Sequence, residues 1–229
     1  METFLDVFYP PSCIACQKLV GGRAFFCEDC SLIIETLPPM HCLCCAEPGV
    51  FDSERCPRCE KRPPPFTRAF APFVHTGAIA HAIHLYKYED RPELARPLAK
   101  LVFDGAGTFL PSRFALVPIP LHHRRYIARR YDQAGLLAKE LSQLAELPVI
   151  WNALSRVRQT ERQVGLDEGE REANVAGAFH CTEALRGMRV LLVDDVFTTG
   201  ATARSAARAI LKAGGREVRV LSVARAWSM

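Results

Sequence analysis

The sequence predicts an α/β protein in which a parallel sheet flanked by helices follows a small cysteine-rich N-terminal module. Three observations carry that expectation. Val190, Leu191, Leu192 and Val193 form an apolar run without polar alternation, as a strand buried on both faces requires. The run continues through an acidic pair and a hydroxyl-rich turn into an Ala-rich segment, the strand-to-helix order of an α/β unit. Finally, eight cysteines fall into two matching sets before Lys61.

Composition sets the outer bounds. A chain of 229 residues and 25.5 kDa, 49% hydrophobic with a mean hydropathy of +0.02, has room for one full α/β domain plus a small module, and is too apolar for a disordered protein. Residues 1–10 carry Glu2 and Asp6 where a secretory signal would hold cations, and no apolar run reaches membrane-spanning length, so a cytoplasmic location without membrane insertion is expected. Net charge is only +4, yet arginine concentrates between Arg113 and Arg162, which suggests a local anion-binding face.

The cysteines form a repeat. Cys13, Cys16, Cys27 and Cys30 recur 29 residues later as Cys42, Cys45, Cys56 and Cys59, each set being two CxxC knuckles ten residues apart. Four thiolates converging on one tetrahedral zinc make a closed structural site, so two structural zinc ions are expected. A module this poor in large apolar groups needs metal binding, worth on the order of 10 kcal/mol per site, to fold. Redox CxxC pairs are the alternative, but such a motif would be single and set in a βαβ context. Cys44 and His41 lie close enough to substitute as ligands, and the repeat favours Cys42 and Cys45. Cys181 is isolated and expected to be buried. Lys61, Arg62 and the three prolines after them read as a stiff linker, dividing a module of residues 1–62, with a short N-terminal helix, from a domain of residues 66–229.

Residues 68–74 read as an edge strand containing Pro72, residues 79–88 and 93–103 as helices, and residues 116–121 as a short apolar strand ending in prolines. Tyr86, Lys87 and Tyr88 place a cation between two rings, either as a stacking platform or as core packing, the latter favoured. A helix over residues 134–147 puts Leu136, Leu137, Leu141 and Leu144 on its core face. Residues 154–179 show too little apolar periodicity to pack along their length.

The chemistry concentrates after Val193. Open α/β sheets bind ligands beyond the carboxyl ends of their strands, where a helix start offers unpaired amides to an anion. Thr198, Thr199 and Thr202 add hydroxyl donors, and Gly200 admits close backbone approach. Asp194 and Asp195 are acceptors suited to the vicinal hydroxyls of a ribose. The implied ligand is a ribose 5-phosphate. Neither a G-x-G-x-x-G nor a G-x-x-x-x-G-K-[ST] signature is present.

The run from Val190 through Thr202 closely resembles the phosphoribosyl pyrophosphate (PRPP) motif of type I phosphoribosyltransferases. Together with the eight cysteines, the segment Val117-Pro118-Ile119-Pro120-Leu121, the segment Arg129-Arg130-Tyr131-Asp132-Gln133, the cluster Arg156, Arg158, Thr160 and Gln163, and Arg171 with Asn174, it resembles the competence protein ComF family along almost the whole chain. Where that family tends to read Arg-Gly-Phe-Asn-Gln, this chain has Arg130-Tyr131-Asp132-Gln133 without the glycine. The resemblance implies a phosphoribosyltransferase-like domain behind a double zinc ribbon. It further implies that Asp194 and Asp195 hold the ribose hydroxyls, that Thr198, Thr199, Gly200, Ala201 and Thr202 wrap the 5-phosphate, and that magnesium accompanies PRPP. The arginines Arg124, Arg125, Arg129, Arg130, Arg156 and Arg158 are then candidates for pyrophosphate or DNA, and residues 154–179 resemble the loop that closes over the reacting centre. Members are associated with natural transformation, so single-stranded DNA and a competence helicase are the implied partners.

Three functions compete: a PRPP-binding protein serving DNA uptake, an active phosphoribosyltransferase on an unknown base, and a PRPP-responsive regulator. No base-recognising segment is expected after the last strand, which leaves the region before Pro111, or Trp227, to form one; Trp227 is expected to cap the sheet edge instead.

Overall fold

The computed structural model describes residues 11–22, 24–110, 112–121, 130–157 and 177–227. The predicted short N-terminal helix lies outside them. The strands are β1 (Arg68–Phe70), β2 (Phe73–Val74), β3 (Ala115–Pro118), β4 (Leu154–Arg156), β5 (Phe179–Cys181), β6 (Arg189–Phe197) and β7 (Glu217–Arg225). The helices are α1 (Glu28–Leu32), α2 (Pro57–Lys61), α3 (Gly77–Tyr88), α4 (Ala95–Ala106), α5 (Gln133–Ala145) and α6 (Ala201–Lys212).

The expected parallel sheet is present. Its order is β1-β7-β6-β3, with β2 also on β7, and every pairing in it is parallel. Successive β6 side chains alternate between two cores. Val190 and Leu192 join Ile210, Ala206 and Ala207 of α6 on one face, whereas Leu191 and Val193 join α3, α4 and α5 on the other. This double burial is why the run carries no polar alternation.

Elements depart from expectation where tertiary contacts reset their ends. Helix α3 begins at Gly77, whose φ of +50 and closeness to the Ile33 carbonyl, 2.1 Å from where a Cβ would stand, admit only glycine. A short 3-10 turn, Pro92–Leu94, precedes α4, which therefore starts later than the periodicity suggested. Pro72 splits the expected edge strand into β1 and β2. On α5, Leu137 and Leu141 are fully buried while Leu136 and Leu144 pack at the margin. Residues 154–179 are not loop throughout: β4 and β5 pair antiparallel at their two ends, because Leu154, Phe179 and Cys181 are buried in the α6-side core.

Both sheet edges are covered. Beside β3, the Leu116 amide donates to the Pro148 carbonyl (2.8 Å) and the Ile150 amide to the Leu116 carbonyl (2.9 Å). Beside β1 and β2, the N-terminal module supplies the partners. The Ala69 amide donates to the Cys44 carbonyl (2.8 Å), the Leu37 amide to the Pro72 carbonyl (2.8 Å), and the Val74 amide to the Glu35 carbonyl (2.9 Å).

Candidate functional site

The two cysteine sets fold alike. In each, the first knuckle turns through a residue of positive φ, Gln17 (65°) or Ala46 (55°), and the second knuckle opens a short helix, so that Cys27 and Cys56 sit at the N-caps of α1 and α2. The ligand atoms of Cys13, Cys16, Cys27 and Cys30 all lie within 4.8 Å of one another, as do those of Cys42, Cys45, Cys56 and Cys59. Cys16 and Cys27 bring their Sγ atoms to 3.6 Å, as do Cys45 and Cys56. Tetrahedral zinc with Zn–S bonds of about 2.3 Å separates its sulfurs by roughly 3.8 Å, so both quartets fit that ion. The thiol of Cys45 is lowered to about 4, chiefly by its hydrogen bond with Cys59 against the opposing effect of burial, with Arg58 Nη2 at 3.6 Å adding to the lowering. The lowering favours the thiolate form that metal binding needs. The two rival ligands stand aside: Cys44 is outside the quartet, and His41 Nδ1 is 2.7 Å from the Pro38 carbonyl.

Strand β6 runs through both aspartates before it ends at Phe197, since β7 continues beside it with Val196 opposite Ala224 and Phe197 opposite Arg225. Only Thr198, Thr199 and Gly200 make the turn into α6. Gly200 has φ +79, and a Cβ there would meet Phe197 Cζ at 2.6 Å, so the turn needs glycine both for its handedness and for the ring packed against it. A glycine N-cap has no side chain with which to cap the helix; Thr199 Oγ1 accepts from the Ala201 amide at 3.4 Å, at a helix start of the kind whose amides suit an anion.

Beyond the carboxyl end of β6 a cleft of about 250 Å³ is lined by Asp194, Asp195, Thr198, Gly200, Thr202 and Arg156, among others. Thr199 and Ala201 belong to the same turn but not to the lining. Arg156 arrives on β4 with its guanidinium 5.3 Å from the Phe179 ring centroid. Arg130 lies elsewhere, paired at the surface with Asp90 at 2.9 Å. Arg124, Arg125, Arg129 and Arg158 lie outside the described residues, as does most of the segment likened to a closing loop.

Two groups in the cleft lie outside the site residues expected from the sequence, one of them, Lys87, noted only as part of a stacking platform or core contact. Lys87, the last cation of α3, places Nζ 2.7 Å from Asp195 Oδ1. Its neighbour Tyr86 is core and holds the helix end in place: the Tyr86 hydroxyl donates to the Gln133 carbonyl (2.7 Å), and the Tyr131 hydroxyl to the Tyr86 carbonyl. The only hint in the sequence was a cation set between two tyrosines. His75, the second missed group, also lines the cleft, and burial, reinforced by Lys87, holds its imidazole below the ordinary value.

Burial and the neighbouring Asp195 charge push Asp194 up to about 7, against the opposing pull of Lys87, the Asp195 amide and Arg156. That amide donates to Asp194 Oδ1 at 2.9 Å, fixing the pair's orientation. Two carboxylates beside a hydroxyl-rich helix start, with cations on either flank, bring acceptors for hydroxyl groups and donors for an anion into one cleft.

Comparison with known proteins agrees with this architecture. Residues 4–60 match the double zinc ribbon domain, and residues 133–227 the phosphoribosyl transferase domain. Competence protein F of Haemophilus influenzae is 30% identical over 230 residues, spanning 96% of this chain and 99% of that protein. The DNA utilization protein YhgH of Escherichia coli K12 is 30% identical over 224 residues, 94% of this chain and 97% of its own. Competence protein ComFC of Bacillus subtilis is 36% identical over 104 residues, 44% of this chain and 40% of that one. A relationship of such extent, carrying both modules in the same order, means that the chain belongs to the competence protein ComF family.

Proposed function

We propose that this protein binds PRPP with magnesium in the cleft beyond β6 and serves the handling of single-stranded DNA during natural transformation, in the cytoplasm and beside a competence helicase. The observation that supports the reading best is the meeting of Asp194, Asp195 and the glycine-capped start of α6 in one cleft. In this reading Asp194 and Asp195 accept from the ribose hydroxyls, while Thr198, Thr202 and the first amides of α6 receive the 5-phosphate, with Thr199, Gly200 and Ala201 shaping the turn. Arg156 stands where departing or bound pyrophosphate would need a cation. The names of the relatives, competence and DNA utilization proteins, support the DNA role. Among the described residues no helix is long and apolar enough to cross a membrane.

Calorimetric titration with PRPP and magnesium chloride tests the first half. Saturable binding that Asp195→Asn weakens is expected, and no heat from the zinc-loaded protein would overturn it. Anisotropy with a labelled single strand tests the second: affinity falling steeply with salt is expected, and a flat profile counts against it. Turnover is the second reading, supported by Arg156 beside the acidic pair. Pyrophosphate release from PRPP with one of a panel of bases would establish it.

A further inference from the structure

The two cysteine quartets are placed unequally with respect to the cleft. The second shares one continuous apolar cluster with the end of β6 and the start of α6: Cys45 and Cys59 lie in the same core as Phe66, Phe197, Ala201 and Ala203. The first is elsewhere, with Cys13 and Cys30 clustered on Ala78 of α3.

Between the second quartet and the phosphate turn stands Arg225, the last residue of β7 and among the largest fully buried side chains at 2% exposure. Its Nε donates to the Cys45 carbonyl at 3.1 Å, across 180 residues of sequence. Its Nη1 donates to the Phe197 carbonyl at 3.2 Å and to the Ala226 carbonyl, and its Nη2 pairs with Glu47. The guanidinium lies 5.2 Å from the Phe197 ring centroid. That ring is held edge-on by Phe66 at 6.0 Å and presses against Gly200. The contacts are therefore contiguous from a metal ligand, Cys45, through Arg225 and Phe197 to the N-cap of α6. A second strut runs parallel: Arg204 of α6, 7% exposed, donates from Nη1 to the Arg62 carbonyl at 3.2 Å, just beyond α2.

We propose that Arg225 is a positioning residue through which metal bound at Cys42, Cys45, Cys56 and Cys59 sets the shape of the phosphate turn, so that this quartet, and not the first, governs affinity for the sugar phosphate. The proposal rests on the PRPP reading for its ligand but not for its geometry. An arginine suits the task because its planar fork spreads five donors over three nitrogens in fixed directions and so reaches carbonyls from two modules and a carboxylate at once, whereas an ammonium has three donors on a single nitrogen. A buried ion pair is on general grounds a poor source of net stability compared with apolar packing, so the contact is better explained by orientation. Metal at the second quartet fixes the Cys45 carbonyl. Without it the knuckle relaxes, Arg225 loses one of its acceptors, and the Phe197 ring is free to leave Gly200.

The test compares three full-length variants, Arg225→Met, Cys56→Ser and Cys16→Ser, each assayed for zinc content, hydrogen–deuterium exchange of the peptide spanning residues 197–204, and PRPP affinity with magnesium. Arg225→Met should keep both zinc ions, expose the turn to faster exchange and weaken PRPP by about tenfold or more. Cys56→Ser should lose one zinc and behave likewise. Cys16→Ser should also lose one zinc yet keep the turn protected and PRPP binding within about threefold. Unchanged protection of the turn in Arg225→Met and Cys56→Ser overturns the proposal, and so does equal loss in Cys16→Ser. Should the unmodified protein bind no PRPP, the function reading fails, while the exchange data still decide whether the second quartet positions the turn.

Discussion

Replacing Lys87 by methionine isolates the electrostatics of the cleft. Its Nζ stands 2.7 Å from Asp195 Oδ1, and the two side chains keep only 16% and 11% of their exposure. At an effective dielectric of about 20, unit charges at that separation attract by roughly 6 kcal/mol, most of it offset by the desolvation of both ions. Removing one partner of a buried pair typically costs about 3–5 kcal/mol, because the other charge is left uncompensated. Here the cleft admits water to the stranded carboxylate, so the lower end, about 3 kcal/mol, is expected. In a chain of this length that lowers the melting temperature by roughly 6–12 °C, measured by scanning calorimetry with zinc saturating. Asp195→Asn should cost less, because it strands Lys87 but also relieves the repulsion on Asp194. The double variant Lys87→Met with Asp195→Asn should be more stable than the sum of the two singles implies, by at least about 1 kcal/mol, since neither charge is then orphaned. Strict additivity, or a Lys87→Met protein within about 0.5 kcal/mol of the original, would refute the pairing argument.

Other consequences can be checked as directly. Burial and the Asp195 charge push the Asp194 carboxyl up to about 7 from the ordinary 3.8, so the folded state holds an extra proton between those values. The stability this group favours at low pH is therefore lost as pH rises from about 4 to about 7, and PRPP affinity should strengthen through the same upper limb as the carboxylate forms; titrations at pH 6 and pH 8 giving equal affinity would contradict this. Gly200→Ala forces a side chain into a left-handed turn and against Phe197, for an expected loss of roughly 2–4 kcal/mol in urea unfolding together with weakened PRPP binding; a neutral result would mean the turn tolerates a Cβ. Chelator titration should release two zinc ions per chain, Cys44→Ser should still release two and Cys45→Ser one. Loss of an ion in the Cys44 variant would move the ligand assignment.

The parts legible in the sequence were those written locally. The acidic pair, the threonines and Gly200 lie within one strand-turn-helix, and the cysteine repeat declares itself by spacing alone. What could not be read depends on chain segments distant in sequence. Lys87 reaches Asp195 only because Tyr86 and Tyr131 bind the end of α3 to the start of α5. Arg225 reads as the polar end of a strand, and nothing near it announces that its partner is Cys45. The ends of β4 and β5 were hidden for the same reason: three-residue strands carry too short a pattern, and their burial is supplied by α6.

The hydrogen bonds that residues 35–37 and Cys44 make to β1, Pro72 and β2 give the N-terminal module a protective duty apart from any metal chemistry. Expressing residues 66–229 without it would leave a naked row of amides and carbonyls on the outer flank of the sheet, along with the apolar surface of Phe73, which Thr36 bridges, and of Ala78, which Cys13, Ala15 and Cys30 pack against. Such a flank recruits strands from other molecules, so the shortened protein should aggregate more readily than the 229-residue chain, as light scattering would measure.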